Sequence, residues 1–480
     1  MGNGMNEMVY ATARGALVEL QRKGISAREL LDAHVSRHES LAMKINAVIA
    51  TDLERAYRDA ETIDSARVKN GELGALAGLP ITIKDGFDVE NMPAMAGAAG
   101  LTGRDKRCDD AELVRRARSQ GPVIWGKTNV PYMLGDWQSY NAVCGTTNNP
   151  YDVARVPGGS SGGAAAALAC GITPLEIGSD IGGSLRTPAS FCGVYALKPT
   201  WGVLPMRGHI PPLPEQYYEL DLGVGGPMAR NAEDLRLFWT VLSGKPSERK
   251  GIRGMRVAVW EEDSNFPLAH DVRDGVARAA HALEARGAIV KPTTSPVDSS
   301  DLLLTYRRIL APILAAGFPE TMLAEMEKTR EADKQTVGES PDPWSPAFNR
   351  LVCTSRYYEF ARALAARQQL KDRMAAFFQN HDAILMPVAP VTAFPHDHSE
   401  PFFARTLDVD GQSVFYMTML CWVSLATTLH LPAVAMPSGL NGNGLPVGVQ
   451  LVRPEHGEDG LFDLAVAAEE AIGGFTPPPV

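Results

Sequence analysis

Short apolar segments alternate with longer helical segments along most of the chain, and this alternation limits its fold more than any other feature. Residues 79–83, 175–177 and 447–452 are bounded by turn residues and are short, which is typical of buried strands. Helical periodicity fills the stretches between such segments, and Ser26 and Glu29 predict a capping box at the start of one helix. The alternation favours an α/β fold with a largely buried sheet.

The same patterns predict the remaining organisation of the chain. Further strands are expected at 46–50, 123–125, 257–260, 383–386 and 433–436, and helices at 26–41, 53–68, 110–119, 163–170, 232–242 and 271–286. Residues 301–380 have helical periodicity and no strand signal. We predict a single large domain over residues 1–480, with a central mixed twisted sheet flanked by helices and a helical insertion at 301–380.

Charge and cysteine usage exclude several classes of protein. The chain has 46 basic and 56 acidic residues, and a net charge of -10 does not favour binding to nucleic acid. Its six cysteines include no C-x-x-C pair, which indicates reduced thiols, a cytoplasmic location and no zinc site. The first residues lack the apolar core of a leader peptide. The apolar stretch 414–429 predicts a buried helix before the strand at 433–436, and we expect no membrane contact.

Two loops rich in glycine and serine lie within residues 156–200. The first, at 158–163, contains Ser160 and Ser161 and leads into an alanine-rich helix; the second, at 178–184, ends in Ser184. Glycines beside a serine let backbone N–H groups approach a ligand closely, as an oxyanion hole requires. Neither loop is followed by the Lys-Ser/Thr pair of a phosphate-binding P-loop.

A lysine ends the predicted strand at 79–83. Lys84 is followed by a turn that contains Asp85 and Asp88, and an ion pair with either carboxylate is one interpretation. The other is a desolvated lysine, whose lowered pKa would allow it to act as a general base. The residues around Lys84 leave both interpretations open.

Both loop serines also fit G-x-S-x-G, the nucleophile elbow of α/β-hydrolases. That elbow requires a strand before the loop, and residues 151–157 are a poor buried strand. It also requires a downstream histidine, and the chain supplies His209, His281, His381 and His430. Histidine supply alone therefore does not exclude this alternative.

Together these segments resemble the amidase signature family over nearly the whole chain. The shared segments include GLPITIKD at 78–85, GGSSGG at 158–163, GSDIGGSLR at 178–186 and LKPT at 197–200. The resemblance implies that Ser184 is the nucleophile, that Ser160 is a relay serine next to a cis peptide bond, and that Lys84 is the base. It further implies backbone oxyanion donors at Ile181, Gly182 and Gly183, and loop-orienting roles for Ser161, Ser179, Asp180 and Arg186.

The implied reaction is hydrolysis of the C–N bond of small carboxylic amides through an acyl-enzyme, with esterase or carbamate cleavage as a side activity. The resemblance implies no cofactor or metal, and a homodimer. Met133, Trp137 and Tyr140 are candidate pocket residues, although core packing explains such residues equally well. The insertion at 301–380 is expected to shape the substrate pocket.

Two alternatives come from other classes of protein. One is the glutaminase subunit of a tRNA-dependent amidotransferase, but residues 219–230 lack the Ser-Leu-Asp-Gln stretch usual in such subunits. The other is a catalytically silent binding scaffold, which the intact Lys84, Ser160 and Ser184 disfavour.

Overall fold

The computed structural model describes residues 8–106 and 108–480, and within them the chain forms one eleven-stranded sheet and two two-stranded sheets. The strands are, in chain order, β1 Val48–Thr51, β2 Pro80–Lys84, β3 Val123–Thr128, β4 Tyr140–Asn141, β5 Gly145–Thr146, β6 Leu175–Asp180, β7 Tyr195–Lys198, β8 Val224–Ala229, β9 Arg256–Val259, β10 Ile289–Pro292, β11 Ala383–Pro387, β12 Thr406–Val409, β13 Gln412–Phe415, β14 Ala433–Leu440 and β15 Pro446–Val452. Residues 1–7, which the prediction about a leader peptide includes, lie outside the described residues.

The large sheet is mixed, as predicted. Its strands lie in the order β1, β3, β2, β6, β8, β7, β14, β15, β11, β9, β10. Strands β3, β2 and β6 are parallel to one another, as are β11, β9 and β10, and the other neighbours are antiparallel. Because β2 and β6 are parallel neighbours, the end of β2 at Lys84 lies at the same edge of the sheet as the end of β6 at Asp180.

Helices flank this sheet. They are, in chain order, α1 Ala13–Gln21, α2 Ala27–Ile45, α3 Leu53–Val68, α4 Glu112–Arg118, α5 Gly162–Ala169, α6 Arg186–Cys192, α7 Ala232–Ser243, α8 His270–Ala285, α9 Ser299–Ala315, α10 Glu320–Lys328, α11 Arg330–Val337, α12 Pro346–Cys353, α13 Tyr357–Phe378, α14 Leu420–Thr428 and α15 Glu458–Ile472. The six helices predicted before residue 290 are confirmed, and the capping box of Ser26 and Glu29 is present at the start of α2.

Three strands of the large sheet, β7, β8 and β10, were not predicted. The sequence of β8 is Val-Gly-Gly-Pro-Met-Ala, and glycine and proline are unfavourable in strands, yet all six residues are buried. A Cβ placed on Gly226 would lie only 2.1 Å from the carbonyl oxygen of Leu197 in β7. The close approach of two backbones therefore determines this residue, and periodicity does not reveal such an approach.

The helical insertion has the predicted character, and helices α9 to α13 span Ser299 to Phe378. The prediction for 414–429 is wrong at its start, because Gln412–Phe415 pairs with Thr406–Val409 as a hairpin and α14 begins only at Leu420. Helix α14 is buried and precedes β14, as predicted. In the described part of the chain, no helix has both the length and the apolar character needed to cross a bilayer.

Replacing Gly226 by alanine should destabilise the protein, because the new methyl group would force β7 and β8 apart. We expect the free energy of unfolding to fall by about 2–3 kcal/mol. Gly442→Ala is the matched control, since nothing lies within 4 Å of a Cβ at that position. Urea unfolding followed by circular dichroism measures both variants, and equal stability would contradict the packing argument.

Candidate active site

The amine of Lys84 is completely buried among serine hydroxyls. Its Nζ lies 2.7 Å from Ser160 Oγ, 2.8 Å from Ser161 Oγ and 2.9 Å from Ser179 Oγ. The carbonyl oxygen of Ser179 is a fourth neighbour, at 3.3 Å. The structure thus brings together residues from three predicted segments: the end of β2, the first loop and the end of β6.

Neither carboxylate that follows Lys84 in sequence is its partner. Asp85 Oδ1 pairs with Lys127 Nζ at 3.0 Å, and Asp88 Oδ2 pairs with Arg104 Nη2 at 2.9 Å. The interpretation of Lys84 as the ion-pair partner of Asp85 or Asp88 is therefore wrong.

Burial lowers the pKa of Lys84 to about 7, although the negative charges of Asp180 and Glu176 oppose this change. Glu176 is itself buried and accepts hydrogen bonds from Thr82 and Thr128, and burial raises its pKa to about 8. Near neutral pH a large fraction of Lys84 side chains is therefore uncharged. An uncharged amine has a lone pair and can accept a proton.

The hydroxyl groups around Lys84 differ in where their own protons can go. The Ser161 hydroxyl donates to the carbonyl oxygen of Ser179 at 3.3 Å, so its oxygen is free to accept an N–H of Lys84. Within the described residues, Ser160 Oγ has no hydrogen-bond partner except Lys84. A neutral Lys84 is consequently the acceptor available to the Ser160 proton.

The first loop adjoins the second through its backbone. The peptide bond between Gly159 and Ser160 is cis, as the resemblance implied. The N–H of Ser161 donates to the carbonyl oxygen of Ser184 at 3.2 Å. Ser139, which the sequence analysis did not identify, supports this loop, because its Oγ accepts the N–H of Gly162 at 3.1 Å.

The carboxylate of Asp180 shapes the second loop. Its oxygens accept the N–H of Gly183 at 2.9 Å and that of Leu185 at 3.1 Å, and they pair with Arg186 Nη2 at 3.0 Å. Burial disfavours ionisation of Asp180, but the charge and hydrogen bonds of Arg186 outweigh burial and lower its pKa. The loop thereby folds around Ser184, which is 7% exposed.

The predicted oxyanion donors require one correction. The N–H of Gly183 is bonded to Asp180, so the structure does not support Gly183 as a donor to substrate. In the described residues the N–H groups of Ile181, Gly182 and Ser184 make no hydrogen bond. Ile181 and Gly182 therefore stay candidate donors, and the N–H of Ser184 joins them.

Two aromatic residues hold the carbonyl groups of this loop. Tyr306 Oη donates to the carbonyl oxygen of Ile181 at 2.6 Å, and Trp137 Nε1 donates to that of Gly182 at 2.8 Å. In a planar trans peptide the N–H points opposite to the preceding carbonyl. The bond from Tyr306 therefore directs the Gly182 N–H away from Tyr306. Tyr306 lies on α9 of the insertion, and no pattern near the two loops indicated its role.

The other two candidate pocket residues have different contacts. Tyr140 Oη accepts a hydrogen bond from Arg405 at 2.9 Å, and its ring stacks on His398 at 3.6 Å between centroids. Met133 is half-buried, and its N–H donates to the carbonyl oxygen of Ala96 at 2.7 Å. A role for Met133 and Tyr140 in a substrate pocket stays a prediction.

A nucleophile elbow does not describe the first loop. Residues 147–157 contain no strand segment, and in the described chain no histidine is hydrogen-bonded to Ser160, Ser161 or Ser184. Within the same residues, no group of three or more His, Cys, Asp or Glu side chains is arranged to hold a metal ion. The independence of catalysis from metals and cofactors stays a prediction.

A buried lysine in contact with serine hydroxyls beside a glycine-rich loop fits the general requirement that a neighbouring base activate a serine nucleophile. The family model for Amidase matches residues 29–462, and the chain therefore belongs to this family. Among its relatives is the glutamyl-tRNA(Gln) amidotransferase of Clostridium botulinum (strain Okra / Type B1). One subunit of that enzyme is 30% identical to this chain, over 97% of this chain and 98% of that protein.

Solved structures are similar over the same extent. An amidase crystal structure has a TM-score of 0.78 and 26% identity, covering 96% of this chain and 100% of that one. The peptide amidase from Stenotrophomonas maltophilia has a TM-score of 0.76 and 25% identity, covering 98% of each chain. The predicted fold and family are thereby confirmed.

Replacing Tyr306 by phenylalanine should lower the rate of any reaction that uses the Gly182 N–H, because the Ile181 carbonyl would lose its donor. We expect kcat to fall about tenfold, which is less than the loss of an oxyanion donor itself. Tyr57→Phe is the matched control, since it removes a hydroxyl that donates to Asp32 between α2 and α3. Steady-state kinetics and thermal unfolding measure both variants; equal kcat values would contradict this role.

Proposed function

We propose that the chain hydrolyses the C–N bond of small carboxylic amides through an acyl-enzyme on Ser184, with Ser160 as proton relay and Lys84 as base. The observation that carries the proposal is the 2.7 Å contact between Ser160 Oγ and the buried amine of Lys84. Membership of the Amidase family supports the reaction class. No cofactor enters the proposed steps.

Acylation begins with two proton transfers. Ser184 Oγ attacks the amide carbon as its proton passes to Ser160, and the Ser160 proton passes to Lys84. The carbonyl oxygen becomes an oxyanion, which the N–H groups of Ile181 and Gly182 stabilise. The intermediate then collapses with cleavage of the C–N bond, and the proton returns through Ser160 to the leaving nitrogen.

Deacylation repeats the sequence with water in place of Ser184. Water attacks the acyl carbon while the relay takes its proton, and a second oxyanion forms in the same place. Cleavage of the bond to Ser184 Oγ releases the carboxylic acid, and the relay returns a proton to Ser184. Each group thus ends the cycle in its starting protonation state.

The proposed proton relay also needs a hydrogen bond between Ser184 and Ser160, which forms only when substrate binds. In the described residues Ser184 Oγ makes no hydrogen bond, while the backbone bond from Ser161 to Ser184 keeps the two loops adjacent. Catalytic hydrogen bonds often tighten only when substrate binds. We therefore assign this contact to the substrate complex.

The surroundings of Ile181 favour an uncharged acyl group. Ile181 is the only residue between Val156 and Thr200 that is not buried, so the site opens beside it. A Cβ at Gly182 would lie 3.4 Å from Leu420 Cδ2 and 3.7 Å from Tyr306 Oη, so Leu420 supplies an apolar neighbour, and the Tyr306 hydroxyl already donates its proton to the Ile181 carbonyl. Because Tyr306 belongs to the insertion, these contacts support a role for residues 301–380 in shaping the pocket, and esters or carbamates of similar shape are candidate secondary substrates.

A cytoplasmic location and a homodimer complete the proposal. All six cysteines lie in the described residues and none forms a disulfide, which fits a reducing compartment. The homodimer rests on the family resemblance alone, and light scattering tests it.

A fluorophosphonate should label Ser184, because an activated serine attacks phosphorus as it attacks an amide carbon. Intact mass spectrometry should give one adduct for the wild type and none for Ser184→Ala. Ser119→Ala is the matched control, since Ser119 is exposed and its hydroxyl donates only to the carbonyl of Arg116. An adduct on another serine, or equal labelling of all three proteins, would overturn the proposed nucleophile.

Activity should rise with pH through about 7, because Lys84 accepts a proton only in its neutral form and burial lowers its pKa to about 7. Below that value kcat/KM should fall about tenfold per pH unit. Lys198 is a second buried lysine with its pKa lowered by burial to about 7, but its Nζ donates to the carbonyl of Pro199. Lys198→Met should therefore keep this acidic limb. A wild-type profile that is flat down to pH 5 would refute Lys84 as the base.

A glutaminase function within a tRNA-dependent amidotransferase is the second candidate. The observation that favours it is the similarity, along 97% of the chain, to one subunit of a glutamyl-tRNA(Gln) amidotransferase. Against it stands the altered segment at 219–230, in which residues 224–229 form the buried strand β8. We expect the purified chain to release ammonia from a short aliphatic amide and not from glutamine. The opposite preference, with copurifying subunits, would establish the second candidate.

A further inference from the structure

His209 lies beside the turn that follows Lys84, although the two residues are far apart in sequence. It forms an antiparallel bridge with Phe87, and the neighbouring Ile210 N–H donates to the carbonyl of Gly86 at 2.7 Å. The His209 ring packs edge-on against Phe87, with 4.8 Å between centroids. The residue is 7% exposed, so backbone pairing and ring packing fix its position.

The contacts of His209 define its tautomer. Its Nδ1 lies 2.9 Å from the carbonyl oxygen of Pro211, which can only accept, so Nδ1 carries the proton. Burial lowers the pKa of His209 to about 3, with a further contribution from Lys84 when that amine is charged, against the hydrogen bond to Pro211 and the charge of Asp88. The ring is therefore neutral near pH 7, and its Nε2 is an acceptor. That acceptor lies 2.9 Å from Ser179 Oγ.

This tautomer determines the direction of the next hydrogen bond. Because His209 Nε2 accepts, the Ser179 hydroxyl donates to it and turns its lone pairs toward the amine of Lys84, 2.9 Å away. The Ser161 hydroxyl likewise donates elsewhere, to the carbonyl of Ser179. Neutral Lys84 has two N–H groups, and these two serine oxygens receive them. The lone pair of the amine is left for Ser160.

We infer that His209 is a positioning residue of the proposed hydrolysis: by accepting the Ser179 proton, it keeps the lone pair of Lys84 directed at Ser160. This inference rests on the proposed function and deepens it. His209 itself exchanges no proton with substrate. Its effect passes through Ser179, which without an acceptor would be free to rotate its O–H onto the Lys84 lone pair and compete with Ser160.

Three variants separate this role from a structural one. His209→Leu removes the acceptor, His209→Gln keeps an oxygen that can accept from Ser179, and His209→Leu combined with Ser179→Ala also removes the hydroxyl that could turn onto Lys84. The readouts are kcat and KM for a short acyl 4-nitroanilide, and the rate of fluorophosphonate labelling of Ser184, each measured from pH 5 to 9. Thermal unfolding establishes that every variant is folded.

We expect His209→Leu to lower kcat and the labelling rate about 10–100-fold, a part of the contribution of general base catalysis, with KM nearly unchanged. The acidic limb should move to lower pH, because a hydroxyl donating to the Lys84 lone pair stabilises the neutral amine. His209→Gln should stay within about threefold of the wild type. The double variant should react at least about threefold faster than His209→Leu alone, because the competing donor is gone.

Two results would overturn this role while leaving the proposed function intact. One is a labelled wild type together with a His209→Leu variant of unchanged rate and pH profile. The other is a double variant no faster than His209→Leu, since a purely structural loss has no reason to be relieved by a second deletion. Failure of the wild type to be labelled at Ser184 would instead overturn the proposed function itself.

Discussion

The rest of the site depends on the buried amine of Lys84. Removing an ammonium ion from water costs several kcal/mol unless a counter-charge compensates. In the described residues no carboxylate is bonded to Lys84; its contacts are three serine hydroxyls and one carbonyl oxygen. Such partners satisfy an amine without requiring its charge, so the surroundings favour the neutral form. The neutral form is the one that can take a proton from Ser160.

In the second loop, by contrast with Lys84, the buried charges have partners of opposite sign. Asp180 and Arg186 are both fully enclosed and form an ion pair, and further hydrogen bonds satisfy the guanidinium. These bonds go from Arg186 to the carbonyl of Val423, to Gln450 at 3.0 Å and to Thr427 at 2.7 Å. The pair thereby ties the loop to α14 and β15. It also occupies the Gly183 N–H, so the support of the loop limits which of its donors can face a substrate.

Local sequence patterns were enough to identify Lys84, which stands at the end of a strand, and the serines, which lie within glycine-rich turns. That Lys84 and these serines meet in one site could be inferred only through the family resemblance. Tyr306, Ser139 and His209 lack any such local mark, because each acts through one tertiary hydrogen bond to a loop distant in sequence. Strand β8 was not predicted for a related reason, since the close approach of the β7 backbone at Leu197, rather than strand propensity, determines Gly226.

The parallel pairing of β2 with β6 explains why these separate signals converge. Carboxyl ends of parallel neighbours meet at one edge of a sheet, where open α/β folds commonly place their ligand sites. Lys84 and Ser179 therefore face each other across one strand spacing, and the backbone bond from Ser161 to Ser184 adds the first loop to them. The insertion reaches the same edge from outside through Tyr306. Of the groups assigned to proton transfer, Lys84 ends strand β2 and the two serines lie in loops, whereas Tyr306, which holds the second loop from outside, belongs to a helical segment whose sequence the sheet does not constrain. Under the proposed function, changes in the insertion can therefore alter substrate preference while the Lys84 contacts persist.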